Sequence, residues 1–128
     1  KRLGKVLGFT MISELTPEKH DEMIGFLSQM THCIAISLMV CKDAAVMAEY
    51  TGDSFRDLTR IAKINDEMWS ELFLINKKEL VAQMELFEKH FEKLKKSIED
   101  GDRETMREMM RLSTARRKFF DDFGKKEI

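Results

Sequence analysis

The chain has 128 residues, 43% of them hydrophobic and 35% charged, and this size and composition fit a single soluble domain rich in helix. Its 22 basic and 23 acidic side chains are mixed along the chain and leave a net charge of -1, which argues against nucleic acid as a partner. One proline and six glycines favour long helices over an all-β fold. We expect no apolar run of the roughly 18 residues that a membrane span requires, and hence no membrane partner.

The first fourteen residues differ from the rest of the chain. Residues 1–7 resemble the end of a helix, Gly8 a stop, and residues 9–13 a short extended segment. An isolated strand leaves its backbone groups unpaired, so this segment requires a partner from elsewhere. We therefore assign residues 1–14 to the linker or end of a preceding domain, and residues 15–128 to a helical domain.

A central helix is predicted to begin at Pro17. Thr16 can cap it, and Pro17 and Glu18 suit its first turn. Between Glu22 and Cys41 apolar residues lie on almost every side of this helix. Such a pattern indicates a helix that is covered by other helices or by a second subunit.

Further helices are predicted after Asp43, from Ser54, after Asn65, from Lys78 and after Asp102. The one over residues 78–99 has apolar residues at heptad spacing, namely Leu80, Met84, Phe87, Phe91, Leu94 and Ile98. The sequence thus predicts an all-α fold, a bundle of about six helices preceded by the short extended segment.

The two cysteines are too far apart for a disulfide. Cys33 and Cys41 are eight residues apart on the central helix, about 12 Å along its axis. We expect both to be buried free thiols, which is typical of a reducing compartment, and we expect a cytoplasmic location. The chain has no C-x-x-C, H-E-x-x-H or P-loop motif, so the sequence supports no metal or nucleotide site.

Two sets of polar residues are candidates for a binding site. Asp21, Ser28 and His32 are seven and four residues apart and therefore share one stripe of the apolar central helix. This stripe faces a ligand, another domain or water, or else His32 is simply a buried histidine satisfied by its neighbours. Arg56 and Arg60 are one helical turn apart and form either a clamp for a carboxylate or phosphate, or ordinary surface salt bridges.

The order and spacing of these motifs resemble the prephenate dehydrogenase family. The resemblance covers Leu15-Thr16-Pro17-Glu18, His20-Asp21, Ser28-x-x-x-His32, the F-R-D-x-T-R-I-A run over residues 55–62, Met68-Trp69 and Asn76-Lys77. It implies a helical domain like the C-terminal dimerisation domain of 6-phosphogluconate dehydrogenases. A homodimer is implied as well, with the preceding Rossmann domain of the same chain binding NAD or NADP.

The activity implied by the resemblance is the oxidative decarboxylation of prephenate to 4-hydroxyphenylpyruvate in tyrosine biosynthesis. Arg60 would hold a substrate carboxylate, and His32 and Ser28 would line the cleft. Trp69 would shape the site near the dimer interface. The family's principal catalytic histidine belongs to the Rossmann domain, so we expect no catalytic residue, no cofactor site and no activity in these 128 residues alone.

Two carboxylates would support the site in this resemblance, since Asp21 and Asp57 would orient its groups through ion pairs. The chain departs from the family in two places. The usual S-H-L-P-H run has Gln29 and Thr31 in place of its first histidine and its proline, and a straighter helix is expected without the proline. The usual glycine pair before Phe55 is replaced by residues 53–54, which puts close approach of a ligand to the backbone there in doubt.

Two alternatives stay open from the sequence. One is the related arogenate dehydrogenase, whose substrate carries an alanyl instead of a pyruvyl side chain. The other is a free-standing helical interaction module that assembles through the heptad of residues 80–98. The second accounts for the heptad, but not for the family order of Arg60, His32 and Trp69.

Overall fold

The computed structural model describes residues 2–9 and 11–123, with side chains through residue 121. The described part is helical and contains no strand, which confirms the all-α prediction. The helices are α1 (Arg2–Val6), α2 (Pro17–Ile24), α3 (Met30–Val40), α4 (Ala44–Met47), α5 (Asp53–Thr59), α6 (Asp66–Ile75), α7 (Lys77–Glu99) and α8 (Arg103–Phe123). The assignments made for Lys1, Thr10 and residues 124–128 lie outside the described residues.

The central helix is continuous but not regular. Between α2 and α3 the five residues Gly25–Gln29 form a π-helical turn, in which the Met30 amide donates to the Gly25 carbonyl five residues earlier. The sequence predicted a straighter helix here and did not predict a π-helical turn. A π-turn accommodates one extra residue, so it changes the faces on which the residues after it lie.

The predicted helix starts are confirmed by their capping bonds. The Thr16 hydroxyl accepts from the Lys19 amide at 3.2 Å, and the Asn65 side chain accepts from the Met68 amide at 3.0 Å. The carboxylates of Asp43 and Asp102 do the same for α4 and α8. Each cap satisfies a backbone N–H that the helix itself leaves unpaired.

The residues divide into two compact units, with the boundary inside α7. The first unit is Lys1–Met84 and the second is Glu85–Ile128. In the first unit, α3 packs against α5 and against the 3-10 helix Arg60–Ala62 that follows it. The buried apolar residues Met30, Ala35 and Leu80 all belong to this unit.

The central helix is long and apolar enough to cross a membrane by length and composition. Over residues 17–40 it contains an 18-residue window of mean hydropathy 1.6, of which 22% is buried. The expectation that no segment would reach this length is therefore wrong. The cause is the stretch from residue 23 to residue 41, which has no charged side chain.

Two further expectations concern the segment around Phe9 and the two cysteines. Phe9 and residues 11–13 are outside any helix and form no strand. Both cysteines are free, but only Cys33 is partly buried, and Cys41 at the end of the central helix is exposed, so its predicted burial is wrong. Burial raises the pKa of the Cys33 thiol because the thiolate is poorly solvated there.

Candidate functional site

A stacked pair of rings joins the central helix to α6 in the first unit. The imidazole of His32 lies on the indole of Trp69 with ring centroids 3.8 Å apart and planes inclined at 30°. The Trp69 ring also makes an edge contact with Phe73, at 5.6 Å. Two residues that the sequence placed in one site are thus in direct contact, although 37 positions separate them in the chain.

The orientation of His32 is set by a carbonyl of its own helix. Its Nδ1 lies 2.9 Å from the Ser28 carbonyl oxygen. Because a carbonyl only accepts, Nδ1 carries the hydrogen of this bond, and in the Nδ1–H tautomer Nε2 is an acceptor. Ser28, which is half-buried and was predicted to line the site, thus contributes its backbone carbonyl to this arrangement.

Thr31, at the position of the family's proline, adds a second bond to the same carbonyl. Its hydroxyl donates to the Ser28 oxygen at 2.6 Å. This carbonyl of the π-turn is therefore held by two side chains, from Thr31 and His32. π-Turns are rare inside helices and occur frequently at functional sites.

A buried amide network ties the π-turn to the junction of α6 and α7. Gln29 is 5% exposed, and its Nε2 donates to the Leu72 carbonyl at 3.1 Å. Its Oε1 accepts from Asn76 Nδ2 at 2.8 Å, and the same Nδ2 lies 3.0 Å from the Asp21 carbonyl. From the sequence, Gln29 stood out only as a departure from the family's run. The feature that could have indicated its role is a polar side chain among the apolar residues of the central helix.

Arg60 lies at the start of the 3-10 helix that packs against α3, and its side chain is exposed. Within the described part of the chain, it forms no ion pair. The neighbouring Arg56 instead pairs with Asp53. The guanidinium of Arg60 is thus available to an anion, and the simpler explanation of a structural ion pair with Asp57 or Asp53 is not supported by the geometry.

Among the described residues, the carboxylates of Asp21 and Asp57 form no bond to the His32–Trp69 ring pair. The Asp21 carboxylate contacts Nδ1 of His20 at 3.1 Å, and only the Asp21 backbone joins the amide network. Asp57 is exposed on α5. Among the described residues no hydrogen bond or ion pair connects either carboxylate to His32 or Arg60, and their orienting roles stay predictions.

The donors needed for a metal centre are not clustered in the residues that the structure covers. Over residues 2–9 and 11–123, no group of three or more His, Cys, Asp and Glu side chains could hold a metal ion. The chemistry that the first unit offers is therefore an exposed guanidinium, an oriented imidazole and an aromatic face. These groups suit an anionic, partly planar organic ligand.

The fold and these groups define a helical domain that carries an exposed arginine and a His32–Trp69 ring pair, and the family follows from the sequence of that domain. Residues 16–112 match the family described as "Prephenate dehydrogenase, dimerization domain". The chain belongs to this family. The family assignment confirms the resemblance drawn from the F-R-D-x-T-R-I-A run and the ring residues.

Curated relatives are dehydrogenases that are much longer than this chain. It is 26% identical over 98 residues to "Prephenate dehydrogenase" of Bacillus subtilis, covering 73% of this chain and 26% of that protein. It is 31% identical over 99 residues to "Cyclohexadienyl dehydrogenase" of Zymomonas mobilis, covering 71% and 34%. The chain therefore spans about a quarter to a third of the length of these relatives.

Solved structures share the fold. A prephenate dehydrogenase of Aquifex aeolicus, described as a complex with hydroxyphenyl propionate and NAD+, superposes with a TM-score of 0.76 at 30% identity, covering 86% of this chain and 40% of that one. The arogenate dehydrogenase of Synechocystis superposes with a TM-score of 0.80 at 19% identity, covering 91% and 44%. At that lower identity the second likeness shows the fold alone.

Proposed function

We propose that this chain is the dimerisation and substrate-binding domain of an NAD- or NADP-dependent prephenate dehydrogenase. In the reaction a hydride leaves the ring carbon of prephenate that bears the hydroxyl and passes to the nicotinamide. The ring carboxylate departs as CO2, and its electron pair completes the aromatic ring of 4-hydroxyphenylpyruvate. The chain's own part in this reaction is to bind and orient the substrate.

The observation that carries the proposal is the exposed guanidinium of Arg60, which forms no ion pair among the described residues and lies on a turn packed against the helix of His32. Prephenate has two carboxylates, and a guanidinium fork matches a carboxylate with two parallel hydrogen bonds. The Trp69 face and the Nε2 acceptor of His32 suit the ring and hydroxyl of such a substrate. The Aquifex aeolicus relative, at 30% identity, is described in complex with an aromatic carboxylate, which supports the same ligand class.

A homodimer is the second part of the proposal. The family is described as a dimerization domain, and the described residues leave many large apolar side chains exposed in both units. Exposed apolar surface of this extent is typical of a surface that another subunit covers. A partner that covers residues 17–40 also accounts for the apolar central helix without a membrane, and we keep the cytoplasm as the proposed location.

The nicotinamide cofactor is proposed to bind to a nucleotide-binding domain outside these 128 residues. The sequence contains no G-x-G-x-x-G fingerprint, which is the turn that brings a backbone close to a pyrophosphate. Calorimetry on residues 1–128 should therefore detect no binding of NAD or NADP at micromolar concentration. Micromolar binding by this chain would place the cofactor site here and overturn that part of the proposal.

The substrate is tested with the enzyme in which this domain is joined to its nucleotide-binding domain. We expect reduction of NAD or NADP with prephenate, and a kcat/KM for prephenate above that for arogenate. The reverse ratio would support the arogenate alternative, to which the cyclohexadienyl dehydrogenase relative draws attention. Turnover of neither substrate, from a folded dimeric enzyme, would leave the interaction module as the better account.

A further inference from the structure

The His32–Trp69 stack is accompanied by a second link between the same two helices. Gln29 lies three residues before His32 on the central helix, and Leu72 lies three residues after Trp69 on α6. The bond from Gln29 Nε2 to the Leu72 carbonyl is thus one helical turn from the ring pair on both helices. The two links run side by side, one polar and one aromatic.

The amide of Gln29 is used at both ends. Its nitrogen donates to Leu72 and its oxygen accepts from Asn76, and both bonds reach residues more than 40 positions away. A glutamine amide offers a donor and an acceptor in one plane, so these two bonds fix the rotation of α6 about the contact as well as its distance. The ring contact by itself joins the two helices at one place, and the amide bonds one turn away add a second point of attachment.

We propose that Gln29 is a positioning residue, which holds the Trp69 face against the His32 ring, whose own orientation the Ser28 carbonyl sets. The role of Gln29 in substrate binding rests on the proposed substrate site, whereas its effect on the contact between Trp69 and His32 does not. Gln29 stands where the family's S-H-L-P-H run has its first histidine. In this chain the amide at that position bonds to the end of α6 and to Asn76 at the α6–α7 junction.

Trp69 is the chain's single tryptophan, so its near-ultraviolet circular dichroism reports the stack directly. Gln29→Met removes the amide while keeping a side chain of similar length and flexibility. We expect the tryptophan band to lose at least about half of its intensity, while the far-ultraviolet helix signal stays unchanged. In the enzyme, the same change should lower kcat/KM for prephenate by about tenfold or more, because a small displacement of a positioned group is costly.

Gln83→Met is the matched control, since it is the same chemical change at a half-buried position of the same unit. Among the described residues Gln83 forms no side-chain hydrogen bond, so its variant should keep the wild-type tryptophan band. Asn76→Ala is a milder second variant that removes only the bond to the Gln29 oxygen and the bond to the Asp21 carbonyl. It decides the question if Gln29→Met does not fold, and we expect a partial loss of the band.

A lowered melting temperature with an unchanged tryptophan band, in Gln29→Met or in a folded Asn76→Ala, would make Gln29 a merely structural residue and overturn the inference. So would an equal loss of the band in Gln83→Met. The dichroism needs no substrate. Failure of the wild-type enzyme to use prephenate would therefore count against the proposed function, while the dichroism result for Gln29 would still hold.

Discussion

The two units of the molecule use their polar side chains in different ways. In the first unit, Gln29 and Asn76 form hydrogen bonds to residues 43 to 55 positions away in the chain. In the second unit, the side-chain bonds and ion pairs that α7 and α8 form among the described residues are local, and they join residues at most seven positions apart. Long-range polar bonds in a partly buried setting define one arrangement, whereas local pairs on exposed helix faces contribute little.

The difference indicates a division of tasks between the units. The first unit holds groups of defined orientation, which is what a binding site requires. The second unit, like the first, presents apolar side chains on exposed helix faces, such as Phe91 at 59% exposure and Ile98 at 61%. We therefore propose that the substrate site lies in the first unit, and we expect the second unit to contribute part of the subunit interface.

The largest expected effect belongs to Arg60 in the first unit. In the intact enzyme, Arg60→Ala should raise KM for prephenate by about 10- to 150-fold with little change in kcat. The reason is that the lost bond, worth about 1.5–3 kcal/mol, is made to a carboxylate present in both ground and transition states. Steady-state kinetics and a thermal melt of the same protein measure the two consequences.

Controls for Arg60 come from the same motif. Arg60→Lys should recover only part of the affinity, since lysine keeps the charge without the planar fork. Arg56→Ala, one turn away, removes an arginine that is already paired with Asp53 and should leave KM within about threefold of the wild type. A stable Arg60→Ala enzyme with unchanged KM would remove Arg60 from the site.

A substitution in the second unit is expected to weaken assembly of the dimer. Phe87 and Phe91 stack at 5.8 Å on successive turns of α7, and the Phe91 ring is exposed. Phe91→Glu should raise the dimer dissociation constant by about tenfold or more, because burial of such a ring contributes about 1.5–3 kcal/mol. Analytical ultracentrifugation measures it, with Lys89→Glu on the same helix as the control.

Two results would contradict the proposed interface. A wild-type protein that is a monodisperse monomer at micromolar concentration would contradict the homodimer. A dimer that Phe91→Glu leaves as tight as before would move the interface away from this part of the second unit. In that case the exposed central helix, residues 17–40, would be the remaining candidate.

A smaller effect is expected at the start of α6, the helix of Trp69. Asn65→Ala removes the side-chain acceptor of the Met68 amide and should cost about 1 kcal/mol of stability. A thermal melt should show a decrease of a few degrees. Ser70→Ala, at an exposed position of the same helix whose hydroxyl bonds only locally to Glu67, should change stability by less than about 0.5 kcal/mol.

The smallest effect concerns pH and the start of α8 in the second unit. The hydroxyl and amide of Thr105 donate to the Asp102 carboxylate and hold its pKa below its ordinary value. A lowered folded pKa means that the stabilisation is complete above about pH 4 and is lost as the pH falls through the folded pKa. Asp102→Asn keeps a capping oxygen but should lack this acid-dependent loss of helix signal in circular dichroism. An identical acid profile for both proteins would show that Asp102 does not contribute.

The features predicted from the sequence were the local ones. The caps at Thr16, Asn65 and Asp102 depend on residues three positions away, and a single sequence displays that spacing. The all-α fold follows from apolar periodicity in the same way. The family's motif order implied that His32 and Trp69 belong to one site, but their ring contact was not predicted.

The π-turn and the role of Gln29 could not be predicted in this way. The turn at Gly25–Gln29 is held by Asn76, whose bonds cross about 50 positions and have no periodic signal. The sequence also left open whether Arg60 pairs with Asp57 or Asp53; among the described residues Arg60 forms no ion pair, and Asp53 pairs with Arg56. Tertiary contacts decided the π-turn and the bonds of Gln29, and both belong to the candidate site.

Hydrogen–deuterium exchange of the enzyme with and without saturating prephenate tests the division of tasks most directly. Bound substrate should slow exchange at the Arg60–Ala62 turn and around Ser28 and His32, because ligand binding stabilises the segments that contact it. Exchange over α8 should stay unchanged. Protection confined to the second unit, or no protection at either first-unit segment at a concentration that saturates turnover, would contradict a substrate site in the first unit.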